Sequence, residues 1–271
     1  MNKICFIRKH ILRLKCITAG WIILSGLPAV LFSQPVQPKS TVALHTLQNN
    51  ETDSVLTHPA KSDYSVLWLK LDSIFHSQHT ARHFAGLYKL ATEAADKYIA
   101  TLPDTPQMYL NRVQEKFAGF FLQGIEDANH RRLNSVWSPY YETRNLSPIQ
   151  YKLVGANQHI NGDSWKVLTG YFTEMELRDV APYYRHCTIE LYKVLDSLYV
   201  QMMANSRNLK TLHRLSFGLS KALMRDMLKK WRNRQLKIAF LYFSHKEKFA
   251  RRLKKTDRKR NRIHRLIVKW V

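Results

Sequence analysis

The sequence predicts an all-α protein: a single multi-helix domain with a long basic C-terminal helical tail. Three observations carry this. Apolar residues recur at spacings of three and four over most of the chain, as one buried helical face requires. No stretch sustains the period of two that marks a half-buried strand. Nine glycines in 271 residues are too few for the tight turns of a many-stranded fold. A chain of this length can bury a substantial core.

The first 33 residues read as a secretory signal. Lys3, Arg8, Lys9, Arg13 and Lys15 precede an apolar run from Cys16 to Phe32, and Ser33 is a small residue before Gln34-Pro35. A positive start, a short apolar centre and a small residue before a polar stretch are what export machinery reads. The run is short for a membrane span, which takes about 20 apolar residues. The alternative is an uncleaved N-terminal anchor in the inner membrane. Export makes the protein periplasmic or otherwise associated with the cell envelope. Cleavage after Ser33 would leave Cys187 as the only cysteine, so core packing must hold the mature fold without a disulfide. Cys187 falls in an apolar pattern between Tyr184 and Leu191 and reads as a small buried hydrophobe.

Residues 34–64 are polar and aperiodic and read as a linker. The helical domain is expected over 65–245. Phe84, Leu87, Tyr88, Ala91, Ala95 and Tyr98 form a first apolar face. Thr105-Pro106 offers a cap and a first-turn proline for a helix carrying Met108, Tyr109, Val113, Phe117, Phe120, Phe121 and Ile125. Ser147-Pro148-Ile149-Gln150 is a stronger start, a capping serine with proline first and glutamine third. Residues 181–204 and 209–243 continue the helical pattern.

Charge is concentrated at the ends. Residues 1–33 carry +5, residues 34–220 carry 19 basic against 17 acidic groups, and residues 221–271 carry 19 basic against three acidic. The basic tail, 246–271, places Ile263, Leu266, Ile267 and Trp270 on a narrow apolar stripe. A basic helix with such a stripe suits the surface of an anionic membrane. Its expected anion-binding residues are Arg251, Arg252, Lys254, Lys255, Arg258, Lys259 and Arg260, with Trp270 at the interface. In a cytoplasm the same charge would suit nucleic acid; export makes that partner the lesser one. A solvated, partly frayed terminus that only raises solubility is the plain alternative.

The most distinctive stretch is Gly155-Ala156-Asn157-Gln158-His159-Ile160-Asn161-Gly162-Asp163. On the helix begun at Pro148, Ile149, Leu153, Ala156 and Ile160 form an apolar stripe. Asn157 and Asn161 lie on one flank and His159 and Asp163 on the other. The stretch resembles a bacterial family catalogued as a domain of unknown function, number 5995. Gly155, Asn157, His159, Ile160, Asn161 and Asp163 match its Gly-x-Asn-x-His-Ile-Asn-x-Asp signature. Leu87-Tyr88 with Thr92, Phe117-Ala118 with Phe121-Leu122, and Trp137 with Tyr141 are similar to its weaker landmarks in the same order. The resemblance covers roughly residues 65–240 and implies an all-helical fold, with no activity attached. Gly162 departs from it, standing where an apolar residue is usual, and puts helical continuity through Asp163 in question.

Two readings of this cluster are open. In one, His159 and Asp163 are a catalytic pair, the carboxylate orienting the imidazole and raising its basicity, and Asn157 and Asn161 bind a substrate or water. A hydrolytic or metal-dependent enzyme acting on a small molecule would follow. His76, His79 and His83 could add ligands, with Glu93, Glu126 or Asp127, although a helix starting at Thr80 would leave His76 and His79 in a loop. In the other, the cluster is a buried structural network and Asn161-Gly162 ends a helix. The structural reading is preferred, because an i, i+4 pair alone is a weak catalytic signal. Cofactor and metal stay unassigned. No phosphate loop, dinucleotide fingerprint, zinc-finger spacing, serine elbow or HExxH occurs. The function expected is therefore a binding or structural role at the cell envelope.

Overall fold

The helical periodicity becomes a bundle. The computed structural model describes residues 61–205, 207–215 and 219–270, all of the chain's regular structure there being helical. The signal and all but the last residues of the linker reading lie outside these. The helices are α1 (Lys61–His76), α2 (Arg82–Ile99), α3 (Asp104–Asn129), α4 (Ser138–Glu142), α5 (Pro148–Gln158), α6 (Ser164–Gly170), α7 (Glu174–Asn205), α8 (Arg207–Leu215), α9 (Leu219–Ser244) and α10 (Lys246–Trp270). A single π turn, His159–Asp163, joins α5 to α6. Residues 62–271 form one compact unit. Among the described residues no helix is long and apolar enough to cross a membrane.

Local chemistry explains most boundaries. Ser147 Oγ accepts from Gln150 N at 3.3 Å and Gln150 Oε1 accepts from Ser147 N at 2.9 Å, which is the reciprocal cap the sequence predicts. α3 begins one residue ahead of Thr105, at Asp104, leaving Pro106 in the first turn where its missing N–H costs nothing. α7 begins at Glu174, well ahead of residue 181. The signal was Thr173-x-x-Glu176: Thr173 Oγ1 accepts from Glu176 N, and Glu176 Oε2 from Thr173 N.

The apolar core gathers Leu110 from α3, Val167 and Leu168 from α6, Leu177, Val180 and Tyr184 from α7 and Leu236 and Ala239 from α9. Cys187 belongs to this cluster, and burial pushes its thiol up, which makes it an unreactive packing residue. Beside the core lies an aromatic layer of Phe84, Tyr88, Phe121, Trp137 and Tyr140, all buried.

The segment expected as a tail is part of the body. α10 packs on α5, the π turn and α9, burying Thr256, Arg260, Ile263 and Ile267. Three sets of bonds hold it. Asn157 Nδ2 donates to Arg260 O at 3.0 Å, His264 Nε2 lies 3.2 Å from Thr143 Oγ1, and Gln150 Nε2 donates to Ile267 O and Val268 O. Gln150 thus caps the start of α5 with its oxygen and the end of α10 with its nitrogen. The stripe of Ile263 and Ile267, read as membrane-facing, is turned inward instead. Trp270's side chain lies outside the described residues.

Two glycines test how tightly the bundle closes. A Cβ on Gly155 would stand 2.4 Å from Phe84 Cγ, whereas one on Gly119 would meet nothing within 4 Å. Helix propensity alone favours alanine at both by about 1 kcal/mol. Gly119→Ala should therefore raise the melting temperature, while Gly155→Ala should lower stability by about 1–3 kcal/mol through overpacking. Thermal melts of the two variants check the opposite signs.

Candidate functional site

The polar motif lies deeper than its flanking position predicts. Asn157 and Gln158 are 0% exposed and His159, Asn161 and Asp163 are 1% exposed. Of the apolar stripe, only Ile149 is buried; Leu153, Ala156 and Ile160 are half-buried. The polar groups, not the stripe, face the interior. Nor does Asn161-Gly162 end the helix. The chain takes one π turn and continues into α6, so continuity through Asp163 is kept. Gly162 is required there, since a Cβ would approach Val136 Cγ1 to 2.4 Å and Arg260 Nη1 to 3.2 Å.

Asp163 is the hub. Its Oδ2 accepts from Trp137 Nε1 at 3.1 Å and lies 3.2 Å from His159 Nδ1, and its Oδ1 accepts from Lys166 Nζ at 2.9 Å. Burial alone would raise this carboxyl; the hydrogen bond from His159 and the positive charge of Lys166 outweigh it and hold the group ionised. Burial pushes the imidazole of His159 down despite the carboxylate beside it, so His159 is neutral and donates from Nδ1. The ring stacks on Phe117 with centroids 3.5 Å apart and meets Phe84 and Tyr88 edge-on. Its Nε2 has no polar partner.

The asparagines form a second line. Asn161 Nδ2 donates to Asn157 Oδ1 at 3.1 Å, and Asn157 passes its own amide to the backbone of α10. These side chains tie helices together, and both are buried. Arg260, expected on an anion-binding surface, is 3% exposed. Its guanidinium donates to Ser135 O at 3.2 Å and Asp257 Oδ1 at 2.7 Å. The spacing that put it among surface cations did not reveal that it falls on the packed side of α10. Arg251, Arg252, Lys254, Lys255 and Arg258 are exposed and Lys259 half-buried.

The expected auxiliary ligands do not converge. His76 is exposed beside Asp72, His79 Nδ1 accepts from Ala81 N in the loop after α1, and His83 stacks on Tyr151. Glu126 pairs with His130, and Asp127 accepts from Gln123 and Asn134. Among the described residues no three His, Cys, Asp or Glu side chains are grouped to hold a metal.

Two cavities lie among the described residues, one near the bundle's interior and one along its surface. One of about 10 Å³ lies among Val113, Phe117, Ser164, Val167, Tyr184 and Arg232, room for a single water molecule. Another, of about 450 Å³, is an open groove between α7 and α9 lined by Pro182, Arg185, His186, Tyr192 and Lys229. Neither touches Asn157, His159, Asn161 or Asp163.

Compared with known families, the sequence matches one over residues 70–270, from within α1 to the end of α10. The chain belongs to the family of unknown function DUF5995. No curated protein and no solved structure matches it. In this DUF5995 chain the family match takes in the whole of α10, beyond the span of about 65–240 over which the sequence resemblance was legible. Sequence reasoning missed three parts of the Asp163 network. Lys166 was visible as an i+3 partner, but Phe117 and the Trp137 indole come from distant segments that spacing along α5 cannot reach.

A neutral buried histidine carries a pH signature. His159, and the partly buried His79, His83 and His264, all titrate below the ordinary histidine value because burial disfavours their charged forms. Below about pH 6.5 the unfolded chain binds these protons and the folded chain does not. Stability should be full above that pH and fall toward pH 5, by up to about 1.4 kcal/mol per pH unit for His159 and by much less for the three partly exposed histidines, whose charge water screens. His159→Gln should remove one proton's share of that slope in urea titrations at several pH values. His159→Ala should cost about 3 kcal/mol, through a lost stack and the loss of one of the three donors to Asp163.

Proposed function

We propose that this chain is a helical binding protein of the cell envelope that docks on an anionic membrane surface through α10, and that its motif is a structural lock. The carrying observation is the division of α10 into two faces. Thr256, Arg260, Ile263 and Ile267 are packed against the body. Arg251, Lys254, Lys255, Arg258, Arg262, Arg265 and Lys269 are exposed on the opposite side. At 3.6 residues per turn these seven cations fall within about 100° of the helix circumference and run for about 27 Å.

That geometry supports docking by charge without insertion, since the helix's isoleucines are already used inside. Headgroup phosphates attract each such cation by about 1 kcal/mol. The export reading of residues 1–33 supports lipid over nucleic acid as the polyanion at hand. Isolation of a signal-cleaved form from the envelope fraction checks that premise.

The enzyme reading has less support. His159 and Asp163 do have the relation of a catalytic dyad, but Nε2 is buried with no hydrogen-bond partner in a ring packed among aromatic side chains. A substrate needs a path to that atom, and side chains 1% exposed leave none.

Vesicle flotation tests the docking. Binding is expected to phosphatidylglycerol-containing vesicles and not to neutral phosphatidylcholine, with loss as salt rises and the Debye length shortens. Changing Arg251, Lys255, Arg258 and Arg262 together to Gln should weaken binding about a thousandfold, at about 1 kcal/mol each. Equal binding to neutral and anionic vesicles, or none to either, overturns the reading.

A further inference from the structure

The groove between α7 and α9 has fixed walls. Thr188 Oγ1 on α7 accepts from Arg232 Nε on α9 at 2.9 Å, and Asp196 Oδ1 accepts from Arg225 Nε at 2.9 Å. The two helices are therefore antiparallel and held in a set register. Arg185, Thr188, Ile189 and Tyr192 of α7 line the groove with Lys229 and Asn233 of α9. Its volume of about 450 Å³ falls in the range of small-molecule sites.

The charge along these walls has one sign. Arg185 and Lys229 line the groove and no carboxylate does. Glu190, Asp196 and Asp226, which flank it along the two helices, are held by Lys193, by Arg225 and Lys221, and by Lys230. Neither Arg185 nor Lys229 enters an ion pair among the described residues. Many surface cations share that property; these two are set apart because one cavity has both in its walls. The register also spaces them. With 188 beside 232 and 196 beside 225, Lys229 comes opposite residues 191–192, six or seven beyond Arg185. Along the helix axis that is about 10 Å. Between them lies Ile189, 50% exposed, and at the Lys229 end the ring of Tyr192 is braced by Arg225, whose guanidinium is 5.6 Å from its centroid.

We infer that this groove binds a small dianion, a molecule with a carboxylate at each end of an apolar middle. The guanidinium fork of Arg185 meets both oxygens of one carboxylate, and the ammonium of Lys229 meets the other as a point charge. Ile189 and Tyr192 cover the middle, and the Asn233 amide offers a neutral donor and acceptor beside it. Two cations at this spacing discriminate against a short diacid, which cannot reach both, and against a monocarboxylate, which leaves one unmatched. The site gives the binding role proposed above a ligand class. It does not require α10 to meet a membrane, so this reading and the docking reading fail separately.

Calorimetric titration of the full chain tests the site, with butanedioate, hexanedioate, octanedioate and decanedioate at constant ionic strength. Affinity should rise toward the longer members of the series. Decanedioate should bind about tenfold more tightly than decanoate, the worth of one charge-assisted hydrogen bond. Arg185→Gln, and separately Lys229→Gln, should erase that advantage. Both side chains are exposed, so both variants should fold, and melting curves check it. Lys230→Gln, which changes the next cation of α9 and one already paired with Asp226, should keep the advantage. No measurable binding of decanedioate, equal affinity for decanoate, or an advantage that survives in either groove variant overturns the site. So does equal binding of the straight-chain diamine of the same length, which carries the opposite charge.

Discussion

Asp163 carries a negative charge into a place that water does not reach, and much of the fold is organised to make that tolerable. A buried carboxylate without partners would cost several kcal/mol or take up a proton. Here three donors reach it from three directions: His159 from its own turn, Lys166 from the start of α6, and Trp137 from the segment before α4. Each donor needs its own support. The imidazole is clamped by Phe117 of α3 and Phe84 of α2, and the indole packs on Phe121. The charge therefore fixes the relative positions of α2, α3, the α4 segment and α6. A hydrophobic residue at 163 could fill the space, but it would not specify those orientations.

The π turn serves the same end. It lets one continuous helical segment present polar side chains at 157, 158, 159, 161 and 163 to the interior, where a regular helix would turn some of them outward. Gly162 admits the close approach of Val136 and Arg260. The polar side chains of this stretch are therefore buried, and several of their hydrogen bonds run between helices.

The helices were legible because their signals are local. Ser147 and Gln150 cap one another within four residues, and the face of Phe84, Tyr88 and Ala95 repeats at helical spacing. The interior position of the polar motif was not legible. Its apolar stripe, Ile149 with Leu153, Ala156 and Ile160, obeys the same periodicity as a buried face, and only long-range packing decides which side turns inward. The packed side of α10 was not legible for a related reason. Twelve basic residues dominate the composition of its segment, but the four positions that decide its place, Thr256, Arg260, Ile263 and Ile267, show themselves only in the packing, where Arg260 and Ile267 meet partners more than 100 residues away.

Those distant partners bear on how the protein is made. Asn157 closes on Arg260 across 103 residues and Gln150 on Val268 across 118. Contacts this far apart form late, after the loop between them has been gathered. When α5, the π turn and α6 have been made, Asp163 already has Trp137, His159 and Lys166, whereas the amides of Asn157 and Gln150 still lack their partners. The charged hub can therefore be paired before α10 packs, and the outer amides of α5 only after it.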